Sequence, residues 1–255
     1  FRKRVQRGAK EILVTAQDTA CYGRDIGSSL PDLLSRMLEV PGDFRVRIGM
    51  MNPDWLSPVA DELMYVFEDP RVYKFLHIPV QSGSDDVLKA MKRGYTAGEY
   101  LSLVKSIRAR YPEISISTDM IAGFPGETEQ DHMKSVGLLR ELRADTVNIT
   151  RFSPRPGTKA AEMEQVNGRL IKARSTELTD VKNEVELANN EKLVGRTFNV
   201  LVTEEGKDSS VIARTDNYRP VGISGNIPLG TFCDVEITGC SSTYLIGRTL
   251  NNGSR

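Results

Sequence analysis

Cysteine, histidine and tryptophan are scarce here, with three Cys, two His and one Trp in 255 residues. Cys21, Cys233 and Cys240 are too few and too scattered for a disulfide framework. No two of them form a CxxC or CxxxC pair, so no zinc or cluster site is expected within the chain, and a reducing, cytoplasmic compartment is. No Ser–His–Asp or paired-carboxylate arrangement emerges around the two histidines. No apolar run approaches the roughly 18 residues of a membrane span, so no membrane partner is expected. The opening FRKRVQRGAK is basic rather than apolar and does not read as a signal peptide. It begins without methionine, like the middle of a helix, which predicts a piece of a longer protein. Net charge is absent as well: 34 basic residues face 34 acidic ones, with six of each after residue 193. A nucleic-acid binder usually carries a basic excess, so the balance argues against bulk electrostatic RNA binding and leaves only a local basic face. The densest basic run, Arg2, Lys3, Arg4, Arg7 and Lys10, is expected to be a solvated helix face.

What is present, up to about residue 160, is an alternation of short β-branched runs with amphipathic stretches. Strands are predicted at Glu11–Thr15, Phe44–Gly49, Val72–Pro79, Ile114–Met120 and Thr146–Arg151. Helices are predicted near 1–9, 29–39, 57–68, 84–92, 97–110 and 129–143. FLHIPV and VNIT are continuously apolar enough to be strands covered on both faces. Five strand–helix units imply a parallel sheet with right-handed crossovers, curled into a partial (βα) barrel. Leu170, Arg174, Leu178, Val181, Val185 and Ala188 then recur at helical spacing over 166–193. Beyond Gly195 the segments FNVLVTEE, SVIART, FCDVEIT and TYLIGRTL are short strands punctuated by Gly and Pro. The predicted organisation is thus α/β: a partial barrel over 1–165, a linker helix over 166–193 and a small all-β barrel over 194–250.

In such a barrel, reactive residues gather at the C-terminal ends of the strands. Those ends read Ala16-Gln17-Asp18-Thr19, Met50-Met51-Asn52-Pro53, Val80-Gln81-Ser82-Gly83-Ser84, a Gly123-to-Thr128 turn and a Phe152-to-Thr158 loop. Amides, hydroxyls and glycines suit holding a polar cofactor more than acid–base work, although loop capping explains them equally. His132 is expected to be exposed in the first turn of a helix. His77 is either a hydrogen-bonded core residue or a pocket residue, and Met50 and Met51 are core or pocket lining. FPGET predicts a tight strand-to-helix turn with Thr128 as N-cap.

EILVTAQDTACYGRDIG, RVRIGMMNP, FLHIPVQSGSDDVLKAMKRGY, STDMIAGFPGET and RFSPRPGTKAAEMEQV occur in this order along nearly the whole chain. Together they resemble the radical S-adenosylmethionine (SAM) methylthiotransferases, most of all the archaeal and eukaryotic branch. The resemblance implies methylthiolation of N6-threonylcarbamoyladenosine in tRNA, at the adenine carbon between two ring nitrogens. It implies SAM and two [4Fe–4S] clusters as cofactors, tRNA and an electron donor protein as partners, and an RNA-binding TRAM barrel after Gly195. In the family one cluster lies in an N-terminal domain. The other is held by a CxxxCxxC loop after the first barrel strand and cleaves SAM reductively. None of the three cysteines occupies a cluster-ligand position, so this chain alone is expected to be inactive.

By position, the resemblance places Gln17 and Asp18 beside the SAM methionyl group and Gln81 and Ser82 near its ribose. Ile121 and Gly123 match a glycine–isoleucine–glycine element that packs on adenine, without its leading glycine. Arg47, Asn52, Asp119, Asn148 and Arg151 are pocket candidates by strand position alone, and no catalytic residue is assigned. Two alternatives stay open: methylthiolation of a ribosomal-protein aspartate, and a non-catalytic RNA-binding fragment. An unpaired edge of the partial barrel is also expected to allow a non-native dimer.

Overall fold

The structure is a computed structural model and describes residues 1–250. Five parallel strands, β1 (Glu11–Val14), β2 (Arg45–Ile48), β3 (Phe75–His77), β4 (Ser115–Ala122) and β5 (Thr146–Arg151), lie side by side in chain order. The β2–β3 junction is held by single bridges, Val46 with Val72 and Met50 with His77. Around them run α1 (Arg2–Gln6), α2 (Leu30–Leu38), α3 (Pro53–Leu56), α4 (Ala60–Val66), α5 (Asp85–Ala90), α6 (Ala97–Arg110), α7 (Glu129–Leu142), α8 (Lys159–Glu162) and α9 (Gly168–Glu191). The arc is the expected partial barrel. Every basic residue of α1 is exposed.

Strand alternation splits the sheet into two chemically different faces. Val46, Ile48, Leu76, Ile78, Ile116, Met120 and Val147 are buried beneath the helices. The concave face carries Leu13 paired with Arg47 and Asp119 paired with Asn148. The expectation that VNIT is covered on both faces fails here: Val147 is buried but Thr146 and Asn148 are exposed. An open arc leaves its inner side without packing partners, and hydropathy over four residues does not reveal that.

α9 lies across α7 and β5, burying Leu178, Val181 and Val185. Leu170, expected on the same face, is instead 39% exposed, in a shallow groove with Met163–Asn167. His132 overturns its expectation outright. It is 1% exposed, with Nε2 2.8 Å from Glu177 Oε2, because α9 covers the face of α7 that local sequence would leave in water. Thr128 is the N-cap of α7, forming a reciprocal capping box with Asp131.

The C-terminal unit is a closed barrel of β6 (Thr197–Glu205), β7 (Ser210–Arg214), β8 (Pro220–Ser224), β9 (Phe232–Cys240) and β10 (Leu245–Thr249), in the order β10-β8-β7-β6-β9. Its core holds Val200, Val202, Ala213, Val221, Ile223, Val235 and Leu245. Only β8 was not predicted, since Pro220 and Gly222 within PVGIS read as loop. Closure needs Gly247, where a Cβ would stand 2.3 Å from Val235 Cγ1 and 2.7 Å from Val221 Cγ1.

This barrel is docked on the N-terminal ends of the parallel strands. Lys74 N donates to Asp216 O (2.7 Å), and Asn217 Nδ2 to Glu113 O (3.2 Å). The Tyr218 ring lies 4.8 Å from Tyr73 and 5.1 Å from Phe75 between centroids. Arg219 pairs with Asp145 and donates to Asn190 Oδ1 at 2.7 Å. One end of the arc is therefore filled by the β7–β8 turn, which leaves the C-terminal end as the accessible one.

Candidate active site

A cavity of about 630 Å³ opens at the C-terminal ends of β1 to β4. Gln17, Asp18, Asn52, Gln81 and Asp119 line it, together with Ala16, Cys21, Met50, Trp55, Pro79 and Arg93. Of the two methionines, Met50 lines the cavity and Met51 is fully buried.

The loops after β1 and β2 are stitched together. Asp18 Oδ1 accepts from Ala20 N (3.1 Å) and from Asn52 N (3.3 Å), and Thr19 Oγ1 donates to Met50 O (2.9 Å). Asn52 caps α3 by accepting from Asp54 N at 3.1 Å. Its carbonyl is thereby committed, and its amide NH2 remains available as a donor. Gln81 is a non-glycine residue at φ 74°, with its own N bonded to Asp119 O (2.8 Å) and its O accepting from Ile121 N (2.9 Å). That left-handed backbone is the kind of strain that persists only where the surroundings over-determine it.

Deeper on the concave face, Asp119 Oδ1 accepts from Asn148 Nδ2 at 2.8 Å and lies 3.0 Å from His77 Nε2. Burial works against the carboxylate's charge, but these two bonds more than offset it and hold its pKa below the usual Asp value. His77 is thus a hydrogen-bonded residue that reaches the open face.

The remaining candidates stand outside the cavity lining. Ile121, two residues beyond Asp119, shares its face. Arg151, three residues beyond Asn148, falls on the opposite face and is exposed. Arg47 lies under Phe75 and Tyr218, at 4.9 and 5.1 Å from their ring centroids, near the docked barrel. Ser82 is fully buried, its Oγ accepting from Ser84 N (3.1 Å) and touching Ser135 Oγ (3.3 Å). It fastens the loop after β3 to α7.

Gly123 packs under α9: its φ is 78°, and a Cβ would fall 2.4 Å from Ile171 Cγ1. Its N donates to Glu127 Oε2 (2.9 Å), which also accepts from Arg174 Nη1 (3.0 Å). Burial raises the Glu127 pKa despite those bonds. Trp55 and Arg93 were not singled out from sequence. Trp55 is the sole tryptophan, a signal that might have been weighed after a strand end, whereas nothing local marks Arg93 among 34 basic residues.

Residues 1–139, more than half of the chain, match the family model described as the radical SAM superfamily. The chain belongs to that superfamily. Residues 191–250 of this radical SAM chain match the TRAM domain, which places the small barrel. The Pyrococcus abyssi protein named "Probable threonylcarbamoyladenosine tRNA methylthiotransferase" is 43% identical over 97% of the chain and 58% of its own length. The protein of the same name from Archaeoglobus fulgidus is 45% identical, over 96% of the chain and 57% of its own length. "Threonylcarbamoyladenosine tRNA methylthiotransferase" of Drosophila melanogaster is 40% identical, over 98% of the chain and 46% of its own length. The chain thus spans about half the length of these relatives.

The described residues of this radical SAM chain fit SAM but not an iron–sulfur cluster. No three Cys, His, Asp or Glu side chains among them stand together as a ligand set. Cys21 lies at the cavity while Cys233 and Cys240 belong to β9, and burial with nearby Asp18 raises the Cys21 pKa. For SAM, the Gln17, Asn52 and Gln81 amides offer donors and acceptors to a nucleoside, and the Asp18 and Asp119 carboxylates offer counter-charge to an ammonium and a sulfonium.

Proposed function

We propose that this chain is the SAM- and substrate-holding part of a methylthiotransferase that converts N6-threonylcarbamoyladenosine in tRNA to its 2-methylthio derivative. The observation that carries the reading is the cavity itself: a polar pocket at the C-terminal strand ends of a radical SAM arc, in a chain 38–45% identical to proteins named for that reaction. Gln17, Asp18, Asn52, Gln81 and Asp119 hold SAM. When bound and reduced by one electron, one SAM would supply the radical, and a second SAM would supply the methyl group. Ser82 and Gly123 act from behind, fixing the loops after β3 and β4, while Ile121 and Asn148 border the substrate's path.

Two [4Fe–4S] clusters are contributed by polypeptide beyond this chain's own ligands, and an electron donor protein feeds them. The TRAM barrel contacts tRNA, and the enzyme works in the cytoplasm. No helix among the described residues is long and apolar enough to cross a membrane. The outer edge of β1 has no partner strand among the described residues and carries Leu13, 48% exposed, so a second chain pairs there at high concentration. Sedimentation showing only monomer would remove that part of the reading.

The test is an anaerobic incubation of reconstituted enzyme with SAM, reductant and threonylcarbamoylated tRNA, followed by nucleoside mass spectrometry. The 255-residue chain alone serves as control. A methylthio mass gain with the cluster-bearing protein only is the expected result. SAM cleavage without that gain would reject the tRNA substrate and make ribosomal protein the next one to try. Stoichiometric iron and sulfide in the chain alone would reject its predicted inactivity.

A further inference from the structure

Five arginines have a buried Nε without a hydrogen-bond partner: Arg47, Arg93, Arg174, Arg214 and Arg219. Arg174, Arg214 and Arg219 are ion-paired through their terminal nitrogens, and Arg47 is stacked on two rings. Arg93 alone has neither kind of contact among the described residues, and it lines the cavity. Its guanidinium is charged at any physiological pH, and a partly desolvated cation without a counter-charge is unfavourable. Among the described residues the nearby carboxylates bond other donors rather than Arg93. Asp18 bonds Ala20 N and Asn52 N, Asp119 bonds Asn148 and His77, and Asp54 Oδ2 accepts from Gly94 N at 3.2 Å. Its fork of donors is therefore open to an anionic group on a ligand in this cavity.

We infer that Arg93 is the receptor for a ligand carboxylate in this cavity, that of the threonyl group on the modified adenosine. The inference rests on the substrate proposed above. A guanidinium presents a planar fork of N–H donors that matches a carboxylate in two parallel bonds. Arg93 and Trp55 come from the segments that follow α5 and β2 and line the same cavity as the strand-end amides assigned to SAM. Trp55 is 38% exposed and already carries the Arg24 guanidinium 3.9 Å from its ring centroid, so an aromatic surface for a nucleobase stands at the same cavity. SAM also carries a carboxylate, and the experiment separates the two sources.

The full chain, its Arg93→Ala and its Arg93→Lys variants are compared in two arms. In the first, fluorescence anisotropy measures binding of an anticodon stem-loop RNA bearing either N6-threonylcarbamoyladenosine or plain adenosine. In the second, calorimetry compares SAM with decarboxylated SAM. The expected result is a preference of about tenfold for the modified RNA in the unaltered chain, lost in Arg93→Ala and partly kept in Arg93→Lys, with plain RNA bound equally by all three. Four outcomes overturn the inference: a loss confined to the SAM arm, which assigns the carboxylate to the cofactor, preferences unchanged by Arg93→Ala in both arms, an equal weakening of both RNAs, or no carboxylate preference in the unaltered chain. If the unaltered chain prefers the modified RNA and Arg93→Ala does too, the substrate reading stands and only Arg93 is wrong. If the unaltered chain does not distinguish the RNAs, the substrate reading falls with it.

Discussion

Gln81 is a point where local strain meets the cavity proposed to hold SAM. Its φ of 74° costs a side-chain-bearing residue about 1 kcal/mol or more, and glycine would remove most of that. Gln81→Gly is therefore expected to leave stability level or raise it by up to about 1 kcal/mol while weakening SAM binding several-fold. Urea denaturation and calorimetry on the same samples check both halves. A stability loss beyond that scale would mean the side chain is structural.

Glu186, on α9, is a buried titratable residue. Its side chain is 3% exposed, Val147 N donates to its Oε1 at 2.6 Å, and burial pushes its pKa up to about 7. A folded-state pKa above the ordinary 4.5 means the folded protein holds the proton more tightly than the unfolded chain. Stability from this group is complete below about pH 4.5 and is lost as pH rises toward 7, at no more than about 1.4 kcal/mol per pH unit. Urea midpoints at intervals from pH 5 to 8 should flatten in Glu186→Gln, and an unchanged slope would contradict the assignment.

Among the elements, α7 shows how much of a helix is written locally. Thr128 and Asp131 satisfy each other's backbone donors, and the Asp131 side chain also accepts from Ser84 Oγ at 2.5 Å. Burial opposes the Asp131 charge, but the Ser84 and Thr128 bonds prevail and hold its pKa at about 2. The sign is opposite to that of Glu186: this stability is present above the ordinary 3.8 and disappears as pH falls toward 2. Thr128→Ala should cost about 1 kcal/mol at pH 7, with a smaller penalty below pH 2 where Asp131 is protonated. Equal penalties at both pH values would show that the threonine acts without its partner. The cap was legible because its atoms lie within four residues. The burial of His132 in the same helix was not, because α9, which covers it, begins 36 residues later.

For the whole molecule, the central feature is the division of the arc between its two ends. The TRAM barrel occupies the strand N-termini through Asp216–Arg219, and the cavity occupies the C-termini. Arg219 is 8% exposed and ties Asp145 and Asn190 to the barrel, while Arg108 and Asn189 keep Asp145 partly paired without it. Arg219→Ala should cost about 2 kcal/mol at this seam. Calorimetry should then show the barrel and the arc melting in two steps, where the unaltered chain melts in one. A single transition in the variant would mean that Tyr218 and the backbone bonds suffice. Fixed docking also bears on RNA: a tRNA held by the barrel would stand at a set distance from the cavity, and a chain of zero net charge offers it no bulk basic excess.

Periodicity, turn chemistry and motif order were enough to read the parallel arc, the linker helix, the second barrel, the Thr128 cap and four of the five barrel strands. All of these depend on residues near one another in the chain. The same reading placed Gln17, Asp18, Asn52 and Gln81 at strand ends and Asp119 within a strand, and the structure gathers them around one cavity. It did not reveal that Ser82 and Gly123 face α7 and α9, that Arg151 lies on the other side of β5, or that Arg93 is the unpaired cation of the cavity. Each of those depends on which distant element closes over a side chain or leaves it open. Only the tertiary structure decides that, because burial and pairing are set by neighbours that chain order does not supply.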